Sequence, residues 1–95
     1  VVCAQWPASR IEHWGTLLRA RAIENQLFML GANRYGEDPE LFFNGHSQMV
    51  SPTGEVLAMT AAPASGITAP LDLAAIDETR RAFNCQSLRV PPAYT

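Results

Sequence analysis

Ninety-five residues, 47% of them hydrophobic, supply one small domain with a modest core and no second unit. A net charge of −2, a pI near 5.5 and basic side chains that are all arginine, never lysine, argue against nucleic acid or an anionic membrane surface as partner. No apolar run approaches the roughly twenty residues of a membrane span. The two cysteines, Cys3 and Cys85, show neither CxxC nor zinc spacing, so a reduced, cytoplasmic protein is expected.

Val1 to Gln5 reads as a short buried strand with Cys3 as a buried thiol. It has no initiator Met and no cap before it, so the chain is expected to be a fragment. Trp6-Pro7-Ala8 ends the strand, and Ser9-x-x-Glu12 has the spacing of a capping box. The helix that follows should run to about Asn25. Ile11, Trp14, Leu18 and Ala22, flanked by Leu17, recur at three and four and form one apolar stripe. Arg21 and Glu24 stand at (i, i+3) and should form a structural ion pair at the helix end.

Leu27-Phe28-Met29-Leu30 shows no polar alternation, which predicts an internal strand covered on both faces. Asn33 to Asn44 is polar and rich in turn formers and reads as a surface loop; its Glu37-Asp38-Glu40 cluster lacks a calcium-loop pattern. His46–Val50 and Glu55–Met59 should form a hairpin about Ser51-Pro52-Thr53-Gly54, where Pro52 presets φ and Gly54 accepts a positive one. A further strand near Leu71–Ile76, a short helix over Asp77–Phe83 and an extended Pro91-Pro92 tail complete the reading. The order of elements is that of an α/β protein.

Three local patterns bear on chemistry. Gln5, Trp6 and Pro7 leave the opening strand at its carboxyl end, where open α/β sheets place ligands. His46 and Ser47 are adjacent, so as strand residues they would point to opposite faces and form no dyad; His46 fits a pocket rim instead. His13, beside Trp14, reads as a packing or interface residue. Cys3, His13, His46 and Cys85 show no metal-ligand spacing, and no metal or other cofactor is expected.

The run Leu17-Leu18-Arg19-Ala20-Arg21-Ala22-Ile23-Glu24-Asn25-Gln26, with the apolar strand, Asn33-Arg34 and Gly36 after it, resembles the carbon–nitrogen hydrolase (nitrilase) superfamily, nearest its omega-amidase-like branch. Gln5-Trp6-Pro7, His13-Trp14, Gly45-His46-Ser47 and Ser51-Pro52-Thr53-Gly54 fit the same pattern, which covers Cys3 to Met59 and fades over Thr60 to Thr95. The resemblance implies the C-terminal portion of a four-layer α-β-β-α sandwich, with residues 1–95 one partial domain. It implies cleavage of the terminal amide of a small carboxylic acid, with release of ammonia, by a Glu-Lys-Cys triad. No residue of this chain can fill the lysine role, and Cys3, followed by Ala4-Gln5-Trp6-Pro7, does not match the nucleophile, so the triad is expected upstream and this chain inactive. By the same resemblance Gln5, Trp6, Pro7 and His46 would line the substrate pocket for an amide or nitrile. The protein would pair as a homodimer or higher homo-oligomer, with Ile11, Trp14 and Leu18 serving either the core or that interface. The rival readings are a catalytically silent oligomerisation or interaction module of the same fold and an unrelated small α/β protein.

Overall fold

The computed structural model describes residues 1–60 and 66–83. Strand β1 (Val2–Ala4) pairs in parallel with β2 (Met29–Asn33), which requires a crossover, and the helix α1 (Ile11–Asn25) supplies it. Strands β5 (Gln48–Val50) and β6 (Val56–Met59) extend the sheet antiparallel, in the order β1-β2-β5-β6. Between β2 and β5, strands β3 (Tyr35–Glu37) and β4 (Phe42–Asn44) form a separate hairpin. Helix α2 (Ala74–Ala82) follows the sheet. The α/β class and the β5–β6 hairpin stand as expected, with Gly54 at φ +89 in the turn.

Helix α1 covers one face of the sheet. Its stripe delivers Trp14, Leu18 and Ala22 to a core completed by Val50, with Ala4, Trp6, Ile11 and Met29 packed around it. Gly31 permits the close approach: a Cβ there would stand 2.6 Å from Leu18 Cδ1 and 2.8 Å from Trp14 Cζ2. Gly31→Ala is therefore expected to overpack the core and cost about 1–3 kcal/mol. Urea unfolding reads it as a lower midpoint at unchanged slope; an unchanged midpoint would mean that Leu18 and Trp14 give way freely.

Several local expectations change. The capping box does not form: Ala8–Arg10 winds into a 3-10 turn that absorbs Ser9, and Arg10, without a side-chain acceptor, occupies the helix N-cap. Glu12 instead serves the first turn by its charge at the positive end of the helix dipole. At the other end Gln26 adopts a left-handed conformation (φ 53, ψ 52). The Gln26 N–H donates to Ile23 O at 3.3 Å and the Leu27 N–H to Ala22 O at 3.2 Å, the two bonds of a Schellman motif. This reversal uses up Leu27 and Phe28, so β2 begins at Met29 rather than Leu27 and runs on to Asn33.

A left-handed non-glycine residue costs on the order of 1–2 kcal/mol. What offsets it is the buried Gln26 side chain, whose Nε2 donates to the carbonyls of Thr79 and Phe83 and so ties α2 to the end of α1. Arg80 adds a bond to Asn25 O at 3.4 Å. The expected strand at Leu71–Ile76 is absent, because Asp72 takes the Ala74 N–H on its carboxylate at 3.0 Å and starts the helix there. The expected loop over Asn33–Asn44 is a hairpin: Asp38 Oδ1 accepts the Glu40 and Leu41 N–H groups at 3.0 and 2.8 Å and closes a tight turn. The predicted Pro91-Pro92 tail and Cys85 lie outside the described residues.

Among the described residues, no helix covers the second face of the sheet. Cys3 and Ala32 stand opposite one another across β1 and β2 and are exposed; Leu30 and Met49, paired across β2 and β5, are half-buried. Cys3 is thus an exposed thiol and not a buried one, because no described helix packs over its strand on that side. For the same reason β2 is covered on one face, not both. No described helix is long and apolar enough to cross a membrane.

Candidate functional site

The carboxyl ends of β1 and β2 and the entry to β5 meet at one corner of the sheet, and Asn33 joins them. As the last residue of β2 it points toward the α1 side and is 8% exposed. Its Oδ1 accepts the Trp6 N–H at 2.7 Å, and its Nδ2 donates to Trp6 O at 3.0 Å and to Gly45 O at 2.7 Å. Its own N–H donates to Ser47 Oγ at 2.9 Å. One carboxamide therefore holds both polar groups of the Trp6 backbone and the carbonyl two residues before Ser47.

Around that hub lie the residues expected at a pocket. Gln5 is exposed, with its Oε1 accepting from Arg34 Nη1 at 3.2 Å. Trp6 and Pro7 are half-buried, and the Trp6 indole N–H donates to Arg10 O. The Trp6 and Trp14 rings lie 6.1 Å apart with planes tilted by 38°. Trp14 Nε1 donates to His46 O at 2.8 Å and pins the residue before Ser47 to the helix. His46 is itself left-handed, at φ 57, and precedes β5 instead of lying in it. The strand-alternation argument against a His46–Ser47 dyad thus does not apply. The dyad is absent for another reason: His46 Nδ1 turns to Asn44 O at 3.2 Å, while the Ser47 hydroxyl is held by Asn33.

Arg34 stacks over the Phe43 ring at 4.3 Å and lies 3.6 Å from Asp38. The backbone N–H groups of Glu40 and Leu41, with Arg34 adding its charge, hold the Asp38 carboxyl below the ordinary carboxylate range. Asp38 is thus committed to its own turn. Among the described residues no three His, Cys, Asp or Glu side chains come together as a metal site.

Gln5, Trp6, Pro7 and His46 are therefore brought to one corner. The expected interface set is not: Trp14 and Leu18 are 3% and 4% exposed and belong to the core, with Ile11 packed against it. The outward side of α1 presents Leu17 and Ile23 instead, 42% and 52% exposed. His13, on the same helix, is exposed and lies outside the core. Arg21 and Glu24 pair at 3.0 Å as expected, but both are more than half exposed, so the bond contributes only a few tenths of a kcal/mol. Asn33 was not anticipated; the available signal was a polar residue ending an otherwise apolar strand. The corner offers an aromatic face, an amide and an imidazole, but no nucleophile joined to a base. It is not a complete catalytic centre.

Comparison with known proteins identifies the family. Residues 2–81 match the family model described as carbon-nitrogen hydrolase. The chain is 43% identical over 83 residues to a 2-oxoglutaramate amidase of Paenarthrobacter nicotinovorans, covering 87% of this chain and 28% of that enzyme. It is 45% identical over 82 residues to the omega-amidase YafV of Escherichia coli (strain K12), covering 84% of this chain and 32% of that enzyme. Among solved structures, a CN-hydrolase superfamily protein of Xanthomonas campestris, with an arsenic adduct in its active site, superposes with a TM-score of 0.84 at 34% identity. That match covers 92% of this chain and 33% of the other. The chain thus spans about a third of the length of these relatives.

Proposed function

This chain belongs to the carbon–nitrogen hydrolase family, and on that premise we propose that it is the C-terminal part of an omega-amidase-like enzyme. The whole enzyme would cleave the terminal amide of a small carboxylic acid of the 2-oxoglutaramate type and release ammonia. The observation that carries this reading is the match, along more than four-fifths of the chain, to enzymes named for that activity.

A thiolate adds to the amide carbon, a carboxylate base takes and returns the protons, and a lysine steadies the oxyanion. Ammonia leaves, and water then releases the acid from the thioester. Because the chain has no lysine, and Cys3 is followed by Ala-Gln-Trp-Pro, we assign the lysine and the thiolate, and the carboxylate that acts with them, to positions outside residues 1–95. The share assigned to this chain is the pocket wall: Gln5, Trp6 and Pro7 at the end of β1, with His46 at the rim. The open face of the sheet, with Cys3, Leu30, Ala32 and Met49, is assigned to contact with the missing layer. Pairing of subunits through α1 is assigned to the exposed Leu17 and Ile23.

The test is ammonia release from 2-oxoglutaramate by the full-length protein, compared with its Trp6→Ala variant. Activity with a raised KM in the variant is expected. A full-length protein inert toward amides, nitriles and carbamoyl compounds alike would overturn the proposal.

A further inference from the structure

We propose that Asn33 is a positioning residue for substrate binding, setting the pocket wall through the Trp6 backbone and the His46 rim through Gly45. This rests on the reading of Gln5–Pro7 and His46 as pocket residues. Asparagine presents, on a neutral side chain, one acceptor oxygen and two N–H donors. The corner presents the complement: one N–H and two carbonyls, at 2.7, 3.0 and 2.7 Å. The partners also fix the orientation of the amide, since a flip would set NH₂ against the Trp6 N–H and oxygen against two carbonyls.

The grip on Trp6 imitates a neighbouring strand, with both backbone groups held where β1 has already ended. The third bond crosses to the segment whose next residue, His46, has its carbonyl fixed by Trp14. The main chain of Asn33 is held in turn by Ser47. Two walls that arrive from different parts of the chain are thereby set at one separation by one side chain. Such a device shapes a wall that holds ground state and transition state alike and does not touch the reacting atoms, so its loss should appear in KM and not in kcat.

The experiment uses the full-length hydrolase with 2-oxoglutaramate, the folded fraction of each variant being measured by circular dichroism so that rates refer to folded protein. Asn33→Asp keeps the shape and the bond from the Trp6 N–H but sets oxygen against both carbonyls. It is expected to raise KM on the order of tenfold or more while kcat changes by less than about threefold. Combined with Trp6→Ala, it should add little to that variant's own rise in KM, because Asn33 acts largely through Trp6. Should Asn33→Asp not fold, Asn33→Ser, which retains a single hydroxyl donor, serves with the same expectations.

KM and the kcat per folded enzyme both unchanged, with only the folded fraction lowered, would overturn the inference and leave Asn33 a stability residue. A fall in kcat at constant KM would overturn it as well. If Trp6→Ala itself leaves KM unchanged, the pocket reading fails first and the positioning role with it. A Trp6 effect without an Asn33 effect removes only the latter.

Discussion

Assayed alone, the 95-residue chain is expected to release no ammonia from 2-oxoglutaramate above the uncatalysed rate. The reason is chemical. Amide cleavage of this type needs a nucleophile, a base and an oxyanion partner acting together, and loss of a nucleophile or its base from such a unit costs on the order of 10⁶-fold in turnover. No lysine is present, His46 and Ser47 are each engaged with other partners, and the corner built around Asn33 joins no nucleophile to a base. Cys3 is the single described thiol, and it lies exposed on the uncovered side of β1. The measurement is ammonia release by the purified chain beside its Cys3→Ala variant. A rate that disappears in the variant would overturn both the inactivity and the assignment of the triad to residues outside this chain.

The second large effect falls on Trp14. Its side chain is 3% exposed, anchors the core between α1 and the sheet, and donates its indole N–H to His46 O. Trp14→Ala is expected to lose about 3–5 kcal/mol from the cavity and the lost burial. That is comparable to the whole stability of a small domain, roughly 5–15 kcal/mol, so the variant should be largely unfolded near physiological temperature. Trp14→Phe separates the two contributions. It keeps most of the apolar volume but leaves the His46 carbonyl without its donor, a loss of about 1–3 kcal/mol. Thermal and urea unfolding of the two variants reads both terms. A Trp14→Ala loss below about 1 kcal/mol would contradict the packing described.

How much of this was legible in the sequence follows from the range of each interaction. The three-and-four spacing of Trp14, Leu18 and Ala22 is local, and the helix it predicts ends at Asn25 as expected. The Ser51–Gly54 turn is equally local. By contrast, glutamine has no special tolerance for left-handed backbone, so nothing in the residue type marks Gln26 as the pivot that delays β2. The reason lies 53 and 57 residues away, in the carbonyls of α2. Asn33 was obscure in the same way, since its partners stand 27 and 12 residues distant and its role is set by geometry. The apolar run at Cys3 marked a strand correctly but carried no information on which side would be covered. At the site, Gln5, Trp6 and Pro7 were reached through their place at a strand's end and through family resemblance. Trp14 and Leu18 were open between core and interface because an apolar stripe reads alike for both, and burial decides for the core.

The contact between Gln26 and α2 has a bearing on how such a protein changes over time. Gln26 binds main-chain carbonyls, which every amino acid supplies, and so it imposes little on the identities of Thr79 and Phe83. Drift within α2 is tolerated as long as a helix ends at the same place, whereas Gln26 itself has few substitutes that combine its reach with its donors. The mark such an asymmetry leaves is a fixed glutamine at position 26 facing freely varying side chains along α2.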